Sequence, residues 1–314
     1  MLIPEIDKLL DADSENTQIV RRVLYDYNPN TLDIINQISI MHAIACRSYA
    51  QGIRDYFDRL NQELKSFKVS SDLELEKKLI QLTSHNNGTK FNEAFDVLYK
   101  YYSSENRGIL LSSLGILYAM AIADLLRMRV TASFSYLRLQ CESLALMKLM
   151  RDDPQIAYQW RKIDEDEEGI AFYRRYQRMI KSTLSSFDLK YTYEHTSGTA
   201  MHARFARISR GLQVNFSRDV DRITQEIRVL AQEFDPDEPG YFIVNVIFIL
   251  QAQGRILLHL PVVCPEITDK ILIETRIPDL LNAVDSLHAL FTKRFPLLAE
   301  RFQQIGLEKK SSQY

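Results

Sequence analysis

Glycine and proline are scarce in this chain: 314 residues hold ten of the first and nine of the second, gathered where periodic segments meet. That argues against a strand-and-turn architecture and for long helices. Cysteine is scarcer still. Cys46, Cys141 and Cys264 are odd in number, widely spaced and set in apolar surroundings. This pattern suits reduced, buried thiols rather than a disulfide framework, and no CxxC offers a metal site. An excess of one charge is also missing. The 39 basic and 41 acidic residues give a net −2, with no global bias toward nucleic acid or anionic membranes. The first residues, Met1-Leu2-Ile3-Pro4-Glu5-Ile6-Asp7, lack the basic and apolar regions of a signal peptide. Two apolar runs, nearly charge-free for 15 residues at 109–123 and for 10 at 241–250, fall short of the roughly 20 that a membrane span needs. Both read as central helices of a soluble, cytoplasmic protein without a membrane partner.

What the chain does hold is helical periodicity. A hydrophobic content of 46% with 25% charged residues suits a globular protein that buries a real core. Over 31–67, apolar residues recur at Ile34, Ile35, Ile38, Met41, Ala45, Tyr49, Ile53, Phe57, Leu60 and Leu64. Asn30 or Thr31 is the expected N-cap. A second copy of the chain is one candidate occupant of that long face, and internal packing is the other. Shorter helices are expected over 15–27, over 72–84, and from the loop at 85–89 to near Tyr102. The block 106–150 is either one long apolar helix or two broken near 128–130. Asp152-Asp153-Pro154 marks a stop and restart, with Asp153 as N-cap and Pro154 in the first turn. Beyond it an irregular segment is expected over 185–199, then helices from His202 to Gly211 and over 217–233, 241–260 and 278–304. The loop between the last two runs from Pro261 to Pro265. The fold class is all-α, a multi-helix bundle of roughly ten helices around a central apolar pair. Its organisation is an N-terminal helical region, 1–105, and a core domain, 106–314, or one continuous domain.

Chemistry concentrates on the second half of the apolar block. If 124–149 is one helix, Asp124, Arg127, Thr131, Ser135, Arg138 and Glu142 share a sector about 80° wide, flanked on both sides by apolar residues. Arg129, Ser133, Gln140 and Ser143 form a second polar face opposite. Only one of the two must meet solvent, and the charged stripe is the expected lining of an internal cleft. Arg138 and Glu142, four residues apart, can pair within the helix. The pair also fits a purely structural role, provided its spare donors and acceptors find partners.

His202 follows the cap-prone residues Ser197-Gly198-Thr199 and could serve as acid or base with Glu142 to orient it; it could equally cap a neighbouring helix. Between 171 and 230 there are 11 Lys or Arg and 5 Asp or Glu, a local charge of +6. Arg204, Arg207 and Arg210 recur every third residue, a surface that would draw phosphates or simply face water. A metal site from His195, Glu142 and Asp124 is poorly supported by its spacing, and no metal or cofactor is expected. His42, His85, His259 and His288 have no evident partners.

The run Leu125-Leu126-Arg127, then Tyr136-Leu137-Arg138-Leu139-Gln140-Cys141-Glu142-Ser143, with Asp152-Asp153-Pro154 and Trp160, resembles a family of uncharacterised bacterial helical domains. Their pattern is an Arg-x-x-x-Glu helix, an Asp-Pro helix start and a Ser-x-x-x-His element, here Ser197 or Thr199 with His202. The likeness covers 108–211. Such domains are in turn similar to HEPN-type helical bundles of bacterial defence and toxin systems, many of which cleave RNA without a metal. The HEPN ribonuclease signature is an Arg and a His with four to six residues between them. This chain has none, and the nearest spacing, Arg255-x-x-x-His259, is one residue short.

The expected function is a binding or regulatory protein, with bacterial stress or phage defence as its expected setting, that recognises a ligand, RNA or a protein partner. Its polar cleft would comprise Arg138, Glu142 and His202, with Arg127, Ser135, Ser197, Arg204 and Arg207 supporting a phosphate or other ligand. The alternatives are a metal-independent ribonuclease, in which Arg138 holds the phosphate and His202 moves the proton, and a structural protein whose polar cluster fixes helix register.

Overall fold

The structure, a computed structural model, describes residues 15–66, 88–126, 130–163, 166–200 and 239–300. Every regular element among them is a helix. In chain order these are α1 (Glu15–Tyr27), α2 (Thr31–Ser66), α3 (Gly88–Leu126), α4 (Val130–Asp152), α5 (Pro154–Arg161), α6 (Asp166–Ser186), α7 (Lys190–Ala200), α8 (Gly240–Val263) and α9 (Lys270–Arg294). The expected helices at 72–84, 202–211 and 217–233 lie outside the described residues.

The central apolar pair is an antiparallel hairpin of α3 and α4. Its alignment is read from three bonds along its length: Ser133 Oγ to the Ala121 carbonyl, Gln140 Nε2 to that of Leu114 at 2.9 Å, and Ser103 Oγ to that of Met150 at 2.6 Å. Around the hairpin, α2 lies on α3, α5 folds back on α3, α6 and α7 cover one side of α4, and α8 with α9 closes the other. One hydrophobic cluster runs from Val20 to Ala299. The apolar face of α2, from Ile34 to Tyr49, is buried inside it. α3 and α8 each contain a stretch long and apolar enough to cross a membrane, Asp96–Leu126 and Phe242–Val263; 56% and 67% of the respective apolar windows are buried in this packing.

Several boundaries differ from the sequence reading, each for a local reason. No helix ends near Tyr102, and residues 105 and 106 lie in the middle of α3. The polar run that suggested a break is buried and bonded to other elements, as Asn106 Nδ2 to the Ala157 carbonyl at 2.9 Å shows. The block 106–150 is two helices, so Asp124 belongs to α3 and does not share a face with Arg138. Residues 185–199 are not irregular. α6 ends in a Schellman cap: Asp188 adopts φ 54°, Leu189 N–H bonds the Leu184 carbonyl at 2.8 Å, and Asp188 N–H bonds that of Ser185 at 3.2 Å. Asp tolerates the left-handed conformation, and the two leucines bury the turn. α7 then starts at Lys190. Pro261 and Pro278 sit inside α8 and α9 rather than at their edges. Buried residues at Ile273, Ile277, Leu280, Val284, Leu287 and Phe291 hold α9 to the core across its proline. At Asp153 the expectation holds: its carboxylate caps α5 by accepting from Gln155 N–H at 3.0 Å.

Candidate functional site

The sequence placed the charged stripe of α4 inside and left its uncharged face to solvent. The structure buries the face expected to meet solvent and leaves the charged pair partly buried. Ser133, Gln140 and Ser143 are buried. Gln140 and Gln253 of α8 pair reciprocally, Gln253 Nε2 donating to Gln140 Oε1 at 2.6 Å and Gln140 Nε2 to Gln253 Oε1 at 3.3 Å. His42 of α2, stacked on Tyr118 at 5.0 Å, reaches Gln253 Oε1 from Nε2 at 3.1 Å. That carbonyl can only accept, so Nε2 carries the proton, and Nδ1 has no donor. Burial pulls His42 down to about 4 and keeps it neutral. Amides and a neutral imidazole can be taken out of water for one hydrogen bond each, which a charge cannot.

Arg138 and Glu142 instead keep 16% and 13% of their side-chain surface in water. Glu142 Oε1 accepts from Arg138 Nε at 3.2 Å, from Arg138 Nη2 at 3.1 Å and from the Tyr193 hydroxyl of α7 at 3.0 Å. The guanidinium also lies over the Tyr193 ring, 5.3 Å from its centroid. Burial first and the Glu142 charge second push Tyr193 up to about 12, so it remains a donor. Tyr173 of α6 is raised by the same two causes and accepts from Trp160. The cluster therefore joins α4, α5, α6 and α7. One group in it is unsatisfied: Arg138 Nη1 is shielded from water and has no acceptor among the described residues.

No protein-family model, curated protein or solved structure matches this chain. What the site can do follows from its own atoms.

Of the residues expected to form the site, Arg138 and Glu142 meet, and Ser135 is partly buried one turn earlier on α4. Ser197 falls in the last turn of α7, its side chain outside the described residues. Arg127, His202, Arg204 and Arg207 also lie outside them. His195 is enclosed by rings, edge-on to Phe134 at 5.6 Å and Phe248 at 5.2 Å and stacked on Tyr191 at 5.7 Å. Glu142 meets Tyr193 from the opposite side of α7. Among the described residues no three His, Cys, Asp or Glu side chains are grouped to hold a metal ion. Sequence reasoning missed Tyr193, because treating 185–199 as irregular removed the helical spacing that aims it at α4.

A second arginine escaped notice altogether. Arg107 of α3 uses all five of its N–H donors: Nε to the Ser103 carbonyl, Nη1 to the Val263 carbonyl and Glu266 Oε2, and Nη2 to Ser104 Oγ and Glu266 Oε1 at 2.6 Å. Nearby, Gly52 passes so close to the Glu266 carbonyl that a Cβ would stand 1.9 Å from its oxygen. Arg107 is a pin between α3 and the α8–α9 turn.

Proposed function

We propose that this chain is a helical binding or regulatory module that uses Arg138, Glu142 and Tyr193 to engage a ligand or partner through an acceptor oxygen, anionic or carbonyl. One observation carries this reading: among the described residues Arg138 Nη1 is buried without an acceptor, next to a partner, Glu142, that occupies only Nε and Nη2. A shielded donor without a partner costs on the order of 1–3 kcal/mol, and an incoming oxygen recovers that cost. A guanidinium recognises carboxylate or phosphate oxygens well, and the aromatic surround lowers competition from water. The free thiols at Cys46, Cys141 and Cys264 support a cytoplasmic setting.

The test is titration with inorganic phosphate, acetate and a mixed panel of short single-stranded RNAs in EDTA, with Arg138→Met alongside. The reading expects saturable binding of at least one probe, lost in the variant, with the RNA intact. Binding of none, or binding that Arg138→Met leaves unchanged, overturns it. RNA cleavage abolished by the variant would replace it with the ribonuclease reading.

A further inference from the structure

The outward face of α6 carries charges sorted by sign. Phe172, Tyr176, Ile180 and Leu184, at four-residue steps, are buried and fix the helix to the core. That leaves Glu167, Glu168, Ala171, Arg174, Arg175 and Arg178 exposed. Residues 164–168 are all acidic, 169–187 contain no acid, and 164–173 contain no base. Charges on a helix pair at steps of three or four. Glu167 meets only Ile170 and Ala171 at those steps, while Arg178 meets Arg174 and Arg175, an unfavourable like-charge grouping. Among the described residues Glu167, Arg174, Arg175 and Arg178 enter no ion pair. The helix dipole accounts for acids in the first turn, but its effect fades within a turn of each end. No base lies in the last turn of α6, so the dipole leaves the arginines unexplained.

A polyanion would match the arginines but be repelled by the acids one to two turns away. Only a surface carrying both signs in reverse order complements the whole face, and a second copy of the chain carries that order. The apolar face of α2, the other surface considered for a second copy, lies inside the core. From this we infer that α6 is a self-association surface, across which a second copy lays its own α6 antiparallel, centred on Ala171. At 100° and 1.5 Å per residue, Glu167 lies about 40° to one side of Ala171 and about 6 Å before it. Arg174 lies about 60° to the same side and about 4.5 Å after it, while Glu168 and Arg175 mirror them on the other side. A two-fold axis at Ala171 keeps the sides and reverses the direction. Glu167 then faces the partner's Arg174, and Glu168 faces the partner's Arg175. The small Ala171 lets the axes approach to the near end of the usual 8–10 Å or so. One helix face buries less than the roughly 800 Å² per partner of a standard interface, so the pair is weak and salt-sensitive. This pairing is independent of what Arg138 binds.

The experiment is sedimentation equilibrium of the full chain over a concentration series, at about 0.1 M and about 1 M salt, where the Debye length is about 10 Å and about 3 Å. A dimer is expected at the lower salt and its dissociation at the higher. Glu167→Arg and Arg174→Glu should each weaken it by at least about tenfold, because each sets like charges against one another. Both side chains are exposed, so helical circular dichroism should stay that of the parent. Mixing the two variants should restore a dimer of parental affinity, since each supplies the sign the other lacks. A chain that is monomeric at every concentration would overturn the inference. So would a dimer that survives high salt, that either variant leaves unchanged, or that mixing fails to restore. A monomer that binds single-stranded RNA, and binds it more tightly with Glu167→Arg, would assign the arginines to a polyanion instead.

Discussion

Two arginine–glutamate pairs in this molecule have opposite bookkeeping. Arg107 and Glu266 come from positions 159 residues apart, and every guanidinium hydrogen is engaged. Arg138 and Glu142 are one helical turn apart, yet the arginine directs only Nε and Nη2 at its partner and leaves Nη1 without an acceptor. A buried charge is tolerable when geometry satisfies all of it, as at Arg107, where nothing remains for a ligand. Arg138 keeps some side-chain contact with solvent, and its shielded Nη1 has no acceptor among the described residues. The saturated pair belongs to the fold, and the unsaturated pair is the one proposed for recognition.

The largest expected effect breaks the saturated pair. Arg107→Met keeps most of the side-chain volume but strands Glu266 beside the α8–α9 turn, and should cost about 3–5 kcal/mol in urea unfolding. A loss near zero would mean that Glu266 reaches water, and the contrast between the pairs would fail.

Next in size is an acid effect at His42, where burial without charge can be read directly. The folded value is about 4, against about 6.5 in the unfolded chain, so the unfolded chain takes up the proton first as pH falls. The contribution is whole above about pH 6.5 and is lost between there and about pH 4, on the order of 3 kcal/mol in all. His42→Gln should flatten that part of the stability curve relative to the parent; an unchanged slope would show that His42 is hydrated.

Gln140→Leu removes the centre of the neutral network and leaves the Gln253 amide and the Leu114 carbonyl short of partners, at about 1–3 kcal/mol. The double change with Gln253→Leu should cost clearly less than the two singles together, because it removes both partners of one bond. Full additivity would separate the two amides.

The smallest effect is expected at the candidate site. Arg138→Met removes a pair with solvent contact together with its orphaned N–H, and should cost no more than about 1 kcal/mol. A loss matching that of Arg107→Met would turn Arg138 into a second structural pin.

Local periodicity made most of the fold legible. The apolar spacing of 31–67, the Asp153-Pro154 start and the apolar block at 108–150 each encode a helix in neighbouring residues, and α2, α5 and the α3–α4 hairpin appear where that spacing puts them. The Arg138–Glu142 pair was legible for the same reason, since a four-residue step is a contact on any helix. What stayed hidden depends on partners distant in sequence. Ser103, Ser104 and Asn106 looked like a break because their acceptors lie on α4, the α8–α9 turn and α5. Arg107 gave no signal because Glu266 is 159 residues away. The buried face of α4 was misjudged because charge was taken as the mark of an internal cleft, whereas the neutral amides of Gln140 and Gln253 are the groups that burial tolerates. Asp188 hid a helix start because a left-handed aspartate is invisible to hydrophobic spacing.

The most direct measurement resolves the guanidinium nitrogens of Arg107 and Arg138 in one spectrum during a titration with inorganic phosphate. The account predicts that Arg138 Nη signals shift and saturate while Arg107 stays fixed and protected from hydrogen exchange. An Arg138 that is as protected and as unresponsive as Arg107 would contradict it.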